Sequence, residues 1–431
     1  MIMKQIQNRR TSLIGILLMG VFMTLHAQNH TETTEESPSV VADSVTATAD
    51  SLLTDTLAVD STLVWPNNVC SRIDKLLQGS MFKTSTVGIQ VYDLTADSVI
   101  YQYNEKQCMR PASTMKMINA VTSLDKLGGS YLFKTRLHYT GKIDSCVLKG
   151  NIYCQGGMDP LFNSDDLRAF VKALQNKGID TIRGRIYADV SMKDRDLLGE
   201  GWCWDDDNPV LTPLLIGKKN TFLRRFCQEM KEEGIVFVGD TLYGATPANA
   251  TTICSRSHTF DQVLMRMMKN SDNLFAESMF YQLAASTGNK GANAKMARAL
   301  VNKLISRLKL QPNDYYIADG SGLSLYNYVS PELEVAFLRY AYANDNIYPH
   351  LITAMPIAGV DGTLEKRMRS GYAHGNVKAK TGTVTGVSAL TGYCTAANGH
   401  QLCFSIINMG IRKADTGRGF QDKVCEVLCR P

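Results

Sequence analysis

Pro111-Ala112-Ser113-Thr114-Met115-Lys116 stands where strand-like sequence gives way to helical apolar spacing. Residues 87–92 and 98–103 read as two strands joined around Leu94-Thr95-Ala96-Asp97, and the helical spacing then runs from 113 to about 127. Pro111 before that helix and Gly128-Gly129 after it are the expected punctuation. A serine in the first turn and a lysine three residues on share one face, and the lysine side chain leans back toward the N-terminus. Free N–H groups and the positive dipole end at such a terminus suit a developing oxyanion. A serine hydroxyl is a poor nucleophile without a neighbouring base. Lys116 is that base only when neutral, which from an ordinary pKa of ~10.4 costs about 4 kcal/mol near neutral pH. Burial and a second cation nearby would supply it.

Alone, the Ser-x-x-Lys pattern says little, because it recurs at Ser80 with Lys83, Ser123 with Lys126 and Ser306 with Lys309. Ser80 falls between helix and strand signals. Ser123 and Ser306 lie inside expected helices, where a hydroxyl bonds back to a carbonyl. Only Ser113 opens a helix, and two further motifs follow it once each, Ser271-Asp272-Asn273 and Lys380-Thr381-Gly382. Ser271 and Asn273 are one residue apart and face the same side of an extended or loop segment. Ser271 is then placed to relay a proton to a leaving amine, Asn273 to hold a substrate amide, and Asp272 to turn away and brace the loop. Lys380 offers a fixed positive charge, Thr381 a hydroxyl and Gly382 room for substrate along a strand, a set suited to a terminal carboxylate. The three motifs in this order are the signature shared by class A β-lactamases and penicillin-binding proteins.

Around these motifs the chain divides by texture. Residues 132–257 carry alternating strand-like runs at 133–139, 147–154 and 180–189, with helices expected at 165–176 and 220–232. They read as a strand-rich smaller domain inserted into a domain made of 65–131 and 258–431. Helices dominate 259–308 and 331–343, three strands are expected at 377–381, 386–395 and 401–409, and a last helix at 420–428. Strands at both ends with helices between them give an α/β architecture, one antiparallel sheet flanked by helices and joining the two ends of the chain. No internal repeat is visible.

The first residues read differently. Lys4, Arg9 and Arg10 precede an apolar run from 13 to 25, and Ala27 follows: the pattern of a secretory signal cut after Ala27, too short to cross a bilayer comfortably. Residues 28–64 hold seven acidic residues and no Lys or Arg, which predicts a disordered acidic tether. Export without stable membrane insertion, to the periplasm or cell envelope, is the expectation. The whole chain carries a net charge of +5, and discounting the acidic tail leaves a mildly basic body. No arginine-rich stripe interleaved with aromatics argues for nucleic acid. Eleven scattered cysteines, an odd number, leave pairing unreadable, and the absence of CxxC and HExxH patterns speaks against a metal; no cofactor is expected.

The chain resembles the D-alanyl-D-alanine carboxypeptidase/endopeptidases of the class C low-molecular-mass penicillin-binding proteins. The likeness rests on the 111–116 stretch, Lys269-Asn270-Ser271-Asp272-Asn273, Asp319-Gly320-Ser321-Gly322-Leu323-Ser324, Ala358-Gly359-Val360-Asp361-Gly362-Thr363-Leu364 and Lys378-Ala379-Lys380-Thr381-Gly382-Thr383. It implies a penicillin-binding, serine β-lactamase-like transpeptidase fold and acyl transfer from D-Ala-D-Ala in peptidoglycan stem peptides. Catalysis would fall to Ser113, Lys116, Ser271 and Asn273, and substrate binding to Lys380, Thr381, Gly382 and Thr383. The backbone N–H groups of Ser113 and Thr383 would form the oxyanion hole, and β-lactam antibiotics would be trapped as a slow ester. In the insertion, Gly201-Trp202-Cys203-Trp204-Asp205-Asp206 matches a family segment, and Trp202 with Asp205 or Asp206 would read the amine-bearing side chain of the stem peptide. A buried aromatic corner beside a solvated acidic turn is the competing reading of the same residues. The insertion is shorter than in the best-known relatives, and Leu325 stands where they usually place Arg. Oligomeric state is not legible.

Two other functions fit the sequence less well. A β-lactamase needs a carboxylate for deacylation, typically in a loop after the Ser-Asp-Asn motif, yet Glu277 is the only Glu between Asn273 and Tyr315 and falls in an expected helix. A non-catalytic peptidoglycan-binding protein would have lost a Ser, Lys or Asn of the motifs, and all are present. No GxSxG elbow supports Ser-His-Asp chemistry.

Overall fold

In a computed structural model, residues 63–204 and 208–431 are described. The expected signal and nearly all of the expected tether lie outside them, as do Asp205 and Asp206. Helix α1 (Asn67–Leu77) precedes the hairpin β1 (Thr86–Asp93) and β2 (Ser98–Tyr103), and helix α2 (Met115–Leu127) follows. The strands β3 (Leu132–Asp144) and β4 (Val147–Gln155) lead to α3 (Ser164–Asn176), then β5 (Thr181–Arg183), β6 (Ile186–Asp189) and α4 (Phe222–Glu232). Short strands β7 (Val236–Val238) and β8 (Thr241–Tyr243) and the long β9 (Thr251–Thr259) come next. Helices α5 (Phe260–Lys269), α6 (Asn273–Ala285), α7 (Ala294–Arg307), α8 (Pro331–Tyr342) and α9 (Tyr348–Ala354) occupy the middle. The chain closes with β10 (Lys378–Val384), β11 (Val387–Thr395), β12 (Gln401–Met409) and α10 (Ala414–Cys429).

Five strands form one antiparallel sheet in the order β10-β11-β12-β1-β2. The pairing of β1 with β12, Ile89 opposite Ile406, joins the two ends of the described chain. Both faces are covered, so seven of the eight residues of β1 are buried and the strand reads as apolar with little alternation. Alternate side chains still divide between two cores. Val87, Ile89, Val91, Phe404 and Ile406 pack with Val69 and Ile73 of α1 and Phe420, Val424 and Leu428 of α10. Tyr92, Cys403 and Ile407 face the helical layer of α2, α5, α6, α7 and α8. Fully burying one such aliphatic side chain is worth about 1.5–3 kcal/mol, so this double coverage fixes β10, the edge strand that borders the site.

A second sheet uses only strands from β3 to β9, in the order β7-β5-β4-β3-β9 with β6 and β8 on a side branch, and has its own core around Phe162, Phe170, Phe222 and Phe226. The run expected as one strand over 180–189 is two, because the chain breaks at Gly184, where a Cβ would lie 1.8 Å from the Gly150 carbonyl oxygen. β4 therefore pairs with β5 in its first half and β6 in its second. β9 runs directly into α5 through a capping box in which Thr259 and Gln262 cap each other. The last helix starts at Ala414, earlier than its apolar spacing suggested, since Gly417 and Gly419 dilute the pattern of its first turns. All eleven cysteines are free thiols. Among the described residues no helix is long and apolar enough to cross a membrane.

Candidate active site

Ser113 lies in a single 3-10 turn, Ala112–Thr114, which feeds α2. Ala112 has φ +50°, a conformation a non-glycine residue adopts only when its surroundings hold it there. The restraint is visible on three sides. Thr114 donates its hydroxyl to the Pro111 carbonyl at 2.8 Å and to the wholly buried Glu334 carboxylate. Glu334 also accepts from Thr391 and Ser405 of the sheet, and burial pushes its carboxyl above the usual range despite these donors. Gly382 of β10 backs onto the turn so closely that a Cβ there would lie 2.6 Å from the Pro111 oxygen and 3.1 Å from the Ser113 nitrogen. On the third side Gly322, φ +80°, leaves no room for a Cβ against the Ala112 oxygen.

At the second position of α2, one turn after Ser113, Lys116 is completely buried. Its Nζ donates to Ser113 Oγ at 2.9 Å, Asn273 Oδ1 at 2.8 Å and the Ser321 carbonyl at 2.7 Å. Burial pulls its pKa down to about 8, opposed by the carboxylates of Asp319, Glu277 and Asp272. Three acceptors on one ammonium also fix where it points. The Ser321 carbonyl is held by a turn wrapped around Asp319, whose carboxylate takes the N–H of Gly322 at 2.7 Å, of Ser324 at 2.7 Å and the Asn327 amide at 2.8 Å.

The second motif sits at the α5–α6 junction. Ser271 takes φ +57°, Asp272 caps α6 through the Leu274 N–H at 3.2 Å, and Asn273 is the first helical residue. Asp272 points away from the site, as expected, and pairs with Arg266 at 3.2 Å and with Lys218 of the β3–β9 segment. Lys269 anchors the junction to Asp361 at 2.6 Å, and two residues on Thr363 accepts from Thr381 Oγ1 at 2.8 Å.

Lys380, expected to offer a fixed positive charge, does not line the open cleft. It is fully buried, and its Nζ donates to Ser271 Oγ at 2.8 Å and the Thr381 carbonyl at 2.7 Å. Burial first, and the Lys116 ammonium second, hold its pKa well below the usual lysine range. Two lysines thus serve two serines: Lys116 with Ser113, Lys380 with Ser271. The open cleft above them, about 660 Å³, is lined by Ser113, Ser271, Thr381, Thr383, Thr363 and Arg418 among others.

Trp202 is not in that lining. Its indole N–H donates to Asp319 at 2.8 Å and its ring packs against Met158, Leu211 and Tyr281. Ser123, expected to bond back to a carbonyl, meets the Asn119 amide oxygen at 3.3 Å. The sequence gives no role to Thr363, Arg418 or Asn119, and Glu277, expected in a helix, was set aside as the loop carboxylate of a β-lactamase. Glu277 lies one turn after Asn273 on α6, wholly buried, and receives the Gly320 N–H at 3.1 Å. Burial and the nearby Asp319 carboxylate push it up to about 8. The spacing Asn273 to Glu277 was the available signal for it.

A family model described as the D-Ala-D-Ala carboxypeptidase 3 (S13) family matches residues 69–214 and 217–429. The chain is 26% identical to a D-alanyl-D-alanine carboxypeptidase DacB of Haemophilus influenzae, over 78% of this chain and 87% of that protein. The crystal structure of penicillin binding protein 4 from Haemophilus influenzae superposes with a TM-score of 0.74 at 24% identity, covering 83% of this chain and 98% of that one. Its complex with a novel β-lactam gives a TM-score of 0.70 at 25% identity, with the same coverage.

Proposed function

The chain belongs to the D-Ala-D-Ala carboxypeptidase 3 (S13) family, and from that premise we propose that it cleaves the terminal D-Ala-D-Ala bond of peptidoglycan stem peptides through an ester on Ser113. It is a serine-type D-Ala-D-Ala carboxypeptidase, a hydrolase with the penicillin-binding fold. The observation that carries the assignment of roles is the hydrogen bond from Lys116 to Ser113 Oγ inside a wholly buried environment. A lysine with a pKa near 8 is neutral in a useful fraction at neutral pH and takes the serine proton as the hydroxyl attacks the penultimate D-Ala carbonyl. The backbone N–H groups of Ser113 and Thr383 receive the oxyanion. Ser271, braced by Lys380, gives its proton to the departing amine and is resupplied with the proton that Lys116 took from Ser113, so that D-Ala leaves as the amine, the acyl chain stays on Ser113 and Lys116 is neutral again. Asn273 holds the substrate amide while keeping Lys116 aimed. Water then attacks the ester, Lys116 again accepting the proton, and Ser113 is restored.

β-Lactams mimic the same carbonyl and stay on Ser113 because their leaving amine remains tethered. Trp202 acts on the site through Asp319, outside the cleft lining. Export to the cell envelope, where the substrate lies, completes the reading. Incubating the purified protein with a muramyl pentapeptide should release D-Ala and leave the tetrapeptide. Cleavage confined to a cross-linked dimer would replace this reading with an endopeptidase.

A further inference from the structure

Recognition of a terminal carboxylate needs a cation at the open end of the cleft, and Lys380 is not free to be it. It is wholly buried and its Nζ is held by Ser271 and the Thr381 carbonyl. The carboxylate carbon of the leaving residue lies three bonds from the scissile carbonyl carbon, roughly 4 Å at full extension. With that carbonyl between Ser113 and Thr383, the carboxylate reaches the level of the Thr381 and Thr383 hydroxyls. Three cations line the cleft: Lys366, Arg367 and Arg418. Arg367 is tied down, its Nε and Nη2 on Asp422 at 3.0 and 2.6 Å and Nη2 also on Gln421 at 3.1 Å.

Arg418 is placed differently. Gly417 packs the helix backbone on Ser388, a Cβ there falling 2.9 Å from the Ser388 Cβ. Ser388 is the cross-strand partner of Thr383. The Arg418 side chain consequently reaches the site end of β10, with Nη2 3.4 Å from Thr383 Oγ1 and Nη1 held by Asp415 at 2.9 Å. Its side chain is 40% exposed, and Asp415 on its far side is 88% exposed, so the pair faces water and cleft together. A planar guanidinium with one nitrogen pinned by Asp415 still presents donors toward the cleft.

We propose that Arg418 is the cation that reads the free carboxylate of the leaving D-amino acid, with Thr383 beside it. This rests on the Ser113 acyl-transfer reading and adds its specificity determinant. It favours substrates whose leaving group ends in a carboxylate next to the scissile nitrogen.

The test compares Arg418→Gln, Arg418→Lys and Lys366→Ala on two substrates. One is a diacetyl-L-Lys-D-Ala-D-Ala tripeptide. The other is an N-acyl-D-Ala thioester whose leaving thiol bears no charge. Arg418→Gln should lower kcat/KM on the tripeptide by ~10–100-fold, the scale of one charge-assisted hydrogen bond. That loss should exceed the loss on the thioester by at least about tenfold, and Arg418→Lys should recover part of it. Equal losses on both substrates would make Arg418 a structural residue and overturn the proposal. So would a selective loss in Lys366→Ala without one in Arg418→Gln. If the wild-type protein turns over neither substrate, the acyl-transfer reading itself fails, a result distinct from either.

Discussion

At the scale of single residues, the site is two buried lysines, each given to one serine. The sharpest consequence concerns pH. Lys116 works as base only when neutral, and its pKa is held near 8 by burial. The acylation rate constant should therefore climb about tenfold per pH unit below 8 and level off above it, and a stopped-flow penicillin titration against pH checks this. Lys116→Ala should slow acylation by ~10²–10⁴-fold; normal acylation in that variant at neutral pH would remove it as base. Glu277 gives a second pH effect, on stability. Its folded pKa, near 8, is raised above the unfolded value of 4.5, so the folded state retains a proton that the unfolded chain releases. Stability from this group falls as pH rises from about 4.5 to 8. Glu277→Gln carries no such penalty, so its melting temperature should gain on the wild type across that interval; a constant difference would contradict the assignment. That Ser113, Lys116, Ser271, Asn273, Lys380 and Thr381 come together was legible because the chemistry proposed for them requires particular residue types in a particular order. Arg418 was not, because an arginine on a helix carries no pattern until the fold brings it to β10.

At the scale of elements, the geometry depends on backbone touching backbone. Gly382 and Gly322 press on the two sides of the Ser113 turn, and neither leaves room for a methyl group. Gly322→Ala also forces a side chain into a positive φ and should destabilise by about 1–3 kcal/mol. Gly382→Ala must push β10 off the turn, and since a misplacement of about 1 Å can cost ~10²-fold, acylation should fall by at least tenfold while circular dichroism stays native. Wild-type rates in Gly382→Ala would show that the strand is not pinned there. Most long elements could be read from apolar spacing: α2, α3, β1, β2 and the last three strands lie within a few residues of expectation. The short ones could not. β7 and β8 are three residues each and largely exposed, so no buried face imprints a period on them. α9 is a seven-residue helix beginning Tyr348-Pro349, too short for its spacing to register.

At the scale of the whole molecule, one buried carboxylate joins the layers. Glu334 of α8 accepts from Thr114 beside the nucleophile and from Thr391 and Ser405 in the sheet. Glu334→Ala strands three buried hydroxyls and should lower stability by about 2–4 kcal/mol, seen as a lower urea midpoint, with slower acylation because Thr114 loses its anchor. Sequence texture anticipated that strands from the two ends would share a sheet, since apolar runs with helices between them have few other ways to be covered. It did not anticipate that loops of the β3–β9 segment would brace the site through Lys218 on Asp272 and Trp202 on Asp319, because contacts across elements leave no periodic trace. Ser113 carries the acyl transfer proposed for the whole molecule. Intact-protein mass spectrometry after incubation with a penicillin should show one adduct, mapped to the peptide containing Ser113 and absent from Ser113→Ala; an adduct that survives in Ser113→Ala would contradict it.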